Sequence, residues 1–504
     1  MTIDVLHPLL HSLTKSEKRY CRLLTGSSTG DKGFLRLLDC LLSHEIMGDA
    51  LTADLTRLFP GATLEPARKY LYRVVMQSLR QFEQDKRIDV RIGQLLHDSQ
   101  ILYERGLVQF SQEQLEKAQR LAEQHERGLY VVMAARQQAE QWVKGQFDGV
   151  DEPTLARQHG LVRQQVERTQ TALHHAALYE TLLLRYRTHG TVGNATDTRR
   201  LNDLLLEEHQ LLNRQSRSGS PMRSFAMQQQ HLHFQSAYFR MIGDEAGSLR
   251  VYRELDNLFQ NNPTLWSEQP LYYVQLLEGI LSDLRMLGQY EEMPYFIDRL
   301  RAIDSPTHGL HHTVPYLTLY YRLLLAIDQA RYADAATLLA TNSLSADGPT
   351  FERGLTRLAL GTRTEFDLLL VRLQVGSGHL SVALHRLNRV LALPARSLPG
   401  RLYMERQLMC LLLHARLGNA DYLTYALRST ERKRKTTNRQ SDGERFILEL
   451  LRQWLSGRLQ PAVLARIDTF SGNSADQQLI RNLDVRAWAV ACLHTKTNMR
   501  PQGL

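Results

Sequence analysis

The sequence predicts an all-α fold, an α-solenoid of antiparallel helix pairs, and three observations lead to this prediction. Amphipathic segments with apolar residues at helical spacing follow one another along the chain. Only 15 prolines occur in 504 residues, which favours helices because proline breaks helix interiors. A turn that begins with a small residue recurs every 40 to 48 residues, a period typical of stacked helix pairs. These turns are Gly243-Asp244-Glu245, Gly288-Gln289-Tyr290, Ala330-Arg331-Tyr332, Gly378-His379-Leu380 and Gly418-Asn419-Ala420.

The N-terminal part, residues 1–84, reads as a domain of short helices. Thr14 and Glu17 have the spacing of a capping box at the start of a helix. Apolar residues at helical spacing then predict helices over 34–42 and 51–59. Thr63 opens a longer helix on which Arg68, Lys69 and Arg73 are expected to be exposed.

Helix pairs are predicted over residues 85–430, and residues 431–504 are predicted to be a helical cap. The repeat pattern is weaker in the first helix pairs than in those after residue 222. The predicted helices are 95–106 with 112–124, 128–144 with 152–169, 171–188 with 196–214, and finally 443–456, 460–469 and 475–492 in the cap.

Three turns carry a pattern that resembles tetratricopeptide repeats. In that family a small residue stands at the turn, a large apolar residue follows two positions later, and a small residue follows five positions later. The matching triplets are Gly288, Tyr290 and Met293; Ala330, Tyr332 and Ala335; and Gly378, Leu380 and Ala383, with a further match at Gly106, Val108 and Ser111. The resemblance covers about two-thirds of the chain and implies a right-handed solenoid. Glu245 and Leu423 depart from the pattern, and the period is longer than the 34 residues of the standard unit.

A second resemblance concerns the N-terminus. The stretch from Ser12 to Tyr20, together with Lys69-Tyr70-Leu71-Tyr72 and Ser78-Leu79-Arg80, is similar to the start of a group of uncharacterised bacterial helical-repeat proteins. This resemblance implies the same helical architecture and brings no activity.

Composition and cysteine usage indicate a cytoplasmic protein. Hydrophobic residues make up 43% and charged residues 23%, as in soluble folded proteins. No uncharged apolar stretch reaches about 18 residues, so we expect no membrane span. Asp4, His7 and His11 interrupt the N-terminus where a secretory segment would be apolar. The four cysteines are too far apart for a zinc knuckle and too few for a disulfide framework.

Motifs of common enzymes are missing from the sequence. Neither phosphate-binding glycine loop is present, nor His-Glu-x-x-His, nor Gly-x-Ser-x-Gly. We therefore predict a protein without catalytic residues, cofactor or metal. The trio His308, His311 and His312 is expected in an exposed loop and not at a zinc site, because no cysteine or carboxylate with ligand spacing accompanies it.

Two groups of residues could bind a partner. Tyrosines cluster between residues 272 and 321, and we select Tyr320 among them as a candidate partner-binding residue. Such tyrosines could line a groove for a peptide or simply pack the repeats against one another. The basic run Arg432, Lys433, Arg434 and Lys435 could bind an acidic partner or nucleic acid, or be a solvated loop between helices.

Two functional hypotheses follow. The first is a non-enzymatic scaffold or adaptor whose repeats bind a protein segment. The alternative is a DNA-binding regulator, in which a helix-turn-helix-like segment within 34–84 uses Arg68, Lys69 and Arg73 and the repeats sense a partner. The formal charge of +9 is compatible with nucleic acid as a less favoured partner. The sequence leaves the partner and the oligomeric state open.

Overall fold

The computed structural model describes residues 2–26, 33–44, 47–83, 87–189, 191–192, 195–217, 224–267, 270–303, 308–342, 344, 348–394, 397–437 and 441–498. Over these residues the secondary structure is helical, with 26 α-helices, one short 3-10 helix and no strand. The all-α prediction is confirmed for this part of the chain.

The chain divides into two compact units, Met1–Thr169 and Gln170–Leu504. One long helix, α9, contains the boundary between them and runs unbroken from Glu152 to His189. The predicted break between helices 152–169 and 171–188 is therefore wrong, because Thr169, Gln170 and Thr171 include no glycine or proline that would end a helix. The predicted domain boundaries after residues 84 and 430 lie inside these units and remain predictions. The helices that begin in the first unit are α1 Ile3–Ser12, α2 Lys15–Gly26, α3 Gly33–Ser43, α4 Asp49–Leu58, α5 Leu64–Glu83, α6 Ile88–Glu104, α7 Val108–Gln124, α8 Gly128–Lys144 and α9 Glu152–His189.

In the first unit, α5 packs against α2 and α3. The capping box at the start of α2 is present: the Thr14 amide donates to Glu17 Oε2 at 2.7 Å, and the Glu17 amide donates to Thr14 Oγ1 at 3.2 Å. These bonds satisfy two amides that the first turn leaves free. Further along, α6, α7 and α8 pack as consecutive neighbours.

The second unit continues with seventeen more helices in the described residues. They are α10 Ala195–Arg217, α11 Phe225–Ile242, α12 Glu245–Asn261, α13 Pro263–Trp266, α14 Leu271–Leu287, α15 Met293–Arg301, α16 His308–Asp328, α17 Tyr332–Thr341, α18 Gly348–Arg357, α19 Leu360–Gly376, α20 Leu380–Leu391, α21 Gly400–Arg416, α22 Ala420–Thr437, α23 Asp442–Leu455, α24 Ala462–Asp468, α25 Ser474–Asn482 and α26 Val485–Asn498.

Many helices of the second unit contact their neighbour in chain order, and several also contact a helix two or three places further along. Thus α11 packs on α12, α19 on α20 and α21 on α22, while α14 contacts α16, α16 contacts α19, α19 contacts α21, and α21 contacts α23. These contacts join helices that lie close to one another in the chain. Two apolar clusters fill the spaces between these helices, the first running from Phe225 to Leu373 and the second from Leu368 to Cys492.

The five turns named from the sequence share one backbone geometry. Their first residues all have left-handed φ, from 56° at Ala330 to 82° at Gly378. In each, the residue after the left-handed one donates its amide to the carbonyl five positions earlier, as Gln289 does to Leu284 at 2.9 Å. This pattern is the Schellman motif, which ends a helix and satisfies its last carbonyls.

The fifth residue after each of these turn positions is completely buried. Its exposure is 0% in all five turns, at Ser248, Met293, Ala335, Ala383 and Leu423. The second helix of each pair presses this residue against the first, so the turn and the buried position together fix how the two helices meet. Three of these five residues are small, and the larger Met293 and Leu423 are as completely buried as the others.

Close helix contacts elsewhere depend on glycine facing tyrosine. A Cβ atom placed on Gly279 would lie 2.4 Å from the Tyr252 ring, and one on Gly376 would lie 2.1 Å from the Tyr332 ring. Only glycine allows these rings to pack so near the helix backbone. These tyrosines therefore serve contacts between helices.

Candidate binding site

A buried charged cluster joins three helices of the second unit. Asp328, at the end of α16, accepts from Arg285 Nε of α14 at 2.5 Å and from Arg372 Nη2 of α19 at 2.8 Å. The side chain of Asp328 is 2% exposed. Burial alone would raise the pKa of Asp328, but the two guanidinium groups outweigh it and hold the pKa below its usual value. We call Arg285, Asp328 and Arg372 the Asp328 cluster.

The turn between α25 and α26 lies against this cluster. Arg285 Nη1 donates to Asn482 Oδ1 at 2.6 Å, and Arg481 donates to the backbone carbonyl of Arg285. The Tyr332 hydroxyl donates to Asp484 Oδ2 at 2.9 Å. Asp484 itself has a left-handed φ of 47°, a conformation that aspartate tolerates better than most residues. The turn between α25 and α26 thus contacts α14 and α17, which lie more than 150 residues earlier in the chain.

Next to this turn is a pocket between α19, α21 and α26. Its free volume is about 50 Å³. The wall is mainly apolar, and the polar groups that line it are Tyr332, Arg372, Arg416 and Asp484. The apolar lining residues are Val371, Val375, Gly376, Met409, Leu412, Leu413, Leu483, Ala487 and Trp488. We call this the α19–α26 pocket.

The basic run is helical over Arg432 to Lys435, so the expectation of a loop there is wrong. These residues continue α22, which ends at Thr437. The segment 420–437 contains neither glycine nor proline, so the helical hydrogen bonds can continue through it. The side chain of Arg432 is exposed. Those of Lys433, Arg434 and Lys435 lie outside the part of the chain that the structure describes.

Exposed residues on α22 precede this run at helical spacing. Tyr425 is 77% exposed, and Tyr422 is also exposed. Arg428 and Arg432 are exposed further along the same helix. Residues three or four apart lie on one face of a helix. These four residues therefore form a surface stripe of two aromatic and two cationic side chains, which we call the α22 stripe.

The three cations selected for DNA binding lie on α5 in different surroundings. The expectation that Arg68 is exposed is wrong, because the residue is half-buried and its Nε atom is buried without a hydrogen-bond partner. Lys69 is exposed and forms an ion pair with Glu65 at 2.8 Å. Arg73 is exposed. The helix is 20 residues long, and the DNA-binding interpretation remains a prediction.

Tyr320 is half-buried and packs against the first apolar cluster of the second unit. Its ring lies edge-on to Tyr321 at 5.3 Å and near Phe366 at 5.7 Å. Burial raises the pKa of the Tyr320 hydroxyl above its usual value. The most exposed tyrosine of the predicted cluster is Tyr295, at 58%.

The loop predicted for His308, His311 and His312 is also wrong, because α16 begins at His308. Residues 308–314 contain no proline, so a helix can begin at His308. Among the described residues no group of three or more histidine, cysteine, aspartate or glutamate side chains is placed to hold a metal ion.

Sequence reasoning missed a group of histidines in which His175 and His233 are buried and His231 is half-buried. His231 forms a hydrogen bond with Glu208, and His175 is fully buried with both ring nitrogens lacking a partner. His233 is also buried, and desolvation lowers its pKa to about 3. The groups come from α9, α10 and α11, and no spacing in the sequence brings these helices together.

The Asp328 cluster was also missed, although a signal existed. Arg285 and Asp328 are 43 residues apart, and Asp328 and Arg372 are 44 apart. These intervals match the repeat period, so charged residues of opposite sign at that spacing could have been paired between successive repeats.

Comparisons with known proteins give no relative. No protein-family model matches the sequence, and neither a curated protein nor a solved structure matches it. In the described residues no helix is both long and apolar enough to cross a bilayer.

Proposed function

We propose that the protein is a non-enzymatic scaffold or adaptor, a tetratricopeptide-repeat-like right-handed α-solenoid that holds a segment of another protein. The observation that carries this proposal is the recurrence of one turn geometry, followed each time by a residue of 0% exposure five positions later. Stacks of this kind expose long runs of helix surface, which suit binding of extended segments.

The α22 stripe is the surface that we propose for this partner. Tyr425 offers a large exposed aromatic face, and Arg428 and Arg432 add positive charge. Aromatic and arginine side chains are the residues most often found at the energetic centres of protein interfaces. The expected partner segment is therefore acidic and carries apolar residues.

We place the protein in the cytoplasm. All four cysteines, Cys21, Cys40, Cys410 and Cys492, are free thiols in buried positions. A reducing compartment keeps such thiols unpaired.

The test uses two exposed tyrosines as a matched pair. A photo-crosslinking amino acid replaces Tyr425 in one preparation of the full chain and Tyr295 in the other. Both are exposed, but only Tyr425 belongs to the α22 stripe. After irradiation in an extract of the source cells, we expect one protein to crosslink at position 425 and not at position 295. Recovery of nucleic acid alone, or equal crosslinking at both positions, would contradict the proposal.

A binding measurement then checks whether the positive charge of the α22 stripe contributes to binding of the partner segment. A synthetic segment from the crosslinked protein is titrated against the full chain by fluorescence anisotropy. Arg428→Glu should weaken binding about tenfold, because the change reverses a charge at the interface. Arg458→Glu, an exposed arginine beyond α23, is the control and should leave the affinity unchanged. An equal loss in both variants would show only a dependence on net charge.

A further inference from the structure

Two buried histidines lie at the junction of α9 and α11. His175 of α9 is 0% exposed, and both of its ring nitrogens are buried without a hydrogen-bond partner. One turn further along α9, the Tyr179 ring stacks on His233 of α11 at 5.1 Å. His233 is 1% exposed, and its Nε2 atom has no hydrogen-bond partner either. The two imidazole rings therefore belong to one interface between the same two helices.

The missing partners decide the charge of these rings in the folded protein. A buried ring nitrogen without a partner costs free energy that an apolar side chain of similar size would not cost. A buried imidazolium would cost still more, because both of its nitrogens need acceptors. Burial accordingly lowers the pKa of His175, and it lowers that of His233 to about 3. Acid therefore favours any state in which the two rings reach water and take up a proton.

The charged groups near His175 come from all three helices of the junction. Glu208 of α10 is 3% exposed and accepts a hydrogen bond from His231 of α11. On α9 itself, His174 forms an ion pair with Glu207 at 2.7 Å nearer the surface. Glu208 favours a positive charge on His175, whereas His231 and His174 oppose it, and burial outweighs the effect of Glu208 on the pKa. His175 is therefore neutral in the closed junction at neutral pH.

The side chains around His233 are aromatic. They are Tyr179 of α9, Phe259 of α12 and Tyr272 of α14. These rings are uncharged at neutral pH, so none of them supplies a negative charge that would balance an imidazolium. Burial is the cause of the lowered pKa of His233.

We propose that the junction of α9, α10 and α11 is a pH-sensitive switch, closed at neutral pH and opened in mild acid by proton uptake at His175 and His233. Because both rings lie at one interface, an opening that separates α9 from α11 exposes them together. Two protons then drive one opening, which makes the response to acid steeper than one histidine can make it. This switch acts on the helix stack itself and does not depend on the α22 stripe.

Hydrogen exchange of the full chain measures this opening directly. Opening constants are obtained at about pH 7.5 and about pH 5 for residues 171–186 of α9 and for α11, after correction for the intrinsic exchange rates. His233 alone can raise the opening constant about 30-fold between these pH values, since its pKa is about 3 in the folded protein and 6.5 in the unfolded chain. We expect a larger increase than this in both helices of the wild type. Helix α19, whose sequence contains no histidine, should show a smaller increase.

Reciprocal substitutions test whether both rings belong to one switch. His233→Phe should lower the acid-induced increase about 30-fold in α9 as well as in α11. His175→Leu should lower it severalfold in α11 as well as in α9. If the leucine variant is not protected at neutral pH, His175→Met takes its place, because methionine adapts to irregular core space. His159→Leu, at an exposed position of α9, is the matched control and should leave the increase unchanged.

Each variant is compared with itself at the two pH values, so a change in packing that is the same at both cancels. The proposal is overturned if the wild-type increase is about 30-fold or less, because one histidine would then explain it. It is also overturned if each substitution changes only its own helix, or if His175→Leu behaves like the His159→Leu control.

Discussion

Replacement of His233 by phenylalanine should make the second unit less sensitive to acid. The imidazole of His233 is 1% exposed and stacks on Tyr179 at a centroid distance of 5.1 Å, with the Phe259 ring edge-on at 6.5 Å. Its Nε2 atom has no hydrogen-bond partner. A phenylalanine ring can occupy the same aromatic surroundings without a group that must be charged in acid.

The size of the effect follows from the pKa of His233, about 3 in the folded protein against 6.5 in the unfolded chain. Because burial lowers the folded pKa, the unfolded chain takes up the proton first. Stability is complete above pH 6.5 and is lost as the pH falls from 6.5 toward 3. At about pH 5 the proton uptake favours unfolding by about 2 kcal/mol, whereas at about pH 7.5 it contributes almost nothing.

Hydrogen exchange of peptides from α11 is the suitable assay, because a chain of two units need not unfold in one step. The opening free energy is measured for wild type and His233→Phe at both pH values. The change in packing is the same at each pH, so it cancels when the two differences are subtracted. We expect the variant to gain about 2 kcal/mol at the lower pH relative to the higher one. The same difference between the two proteins at both pH values would refute the reasoning.

Three further substitutions test the packing, each by the opening free energy that hydrogen exchange of the full chain gives for the helices around the substituted residue. Ala383→Leu should destabilise by about 1–3 kcal/mol because the position is fully buried, whereas Val382→Leu at the exposed neighbour should stay within about 0.5 kcal/mol; equal effects would contradict the role of the buried position. Gly279→Ala should cost about 1–3 kcal/mol because its Cβ meets the Tyr252 ring at 2.4 Å, and a neutral result would show that the ring moves aside. Asp328→Asn should cost about 3–5 kcal/mol because it leaves two buried guanidinium groups without a counter-charge; a loss below about 1 kcal/mol would mean that water enters the cluster.

The helix pairs after residue 222 could be predicted because their signals are local, whereas the sequence was wrongly divided into two helices where α9 is continuous. A left-handed residue favours glycine, as at Gly288 and Gly378, and the buried fifth position repeats with the turn. The capping box of Thr14 and Glu17 likewise lies within four residues, so the sequence contains everything that forms it. Even Ala330, which is not glycine, could be placed because its spacing matches the other turns.

The candidate sites could not be predicted in the same way, since their residues are far apart in the chain. Asn482 meets Arg285 across 197 positions, and no pattern in either segment indicates this contact. The pocket depends on Arg416 and Trp488 approaching from separate helices. The basic run from Arg432 to Lys435 was misread for a different reason. A charged, polar stretch resembles a loop. The helix α22 nevertheless continues through the run because no glycine or proline interrupts it.

Native-state hydrogen exchange of the full chain carrying Ala383→Leu tests most directly whether successive helix pairs stabilise their neighbours. In a stack, a local loss spreads mainly to the adjacent pairs. Exchange should accelerate most in α19, α20 and α21 and least in α11 and α12. Equal acceleration across all described helices of the second unit would mean a single cooperative core and would contradict the repeat architecture.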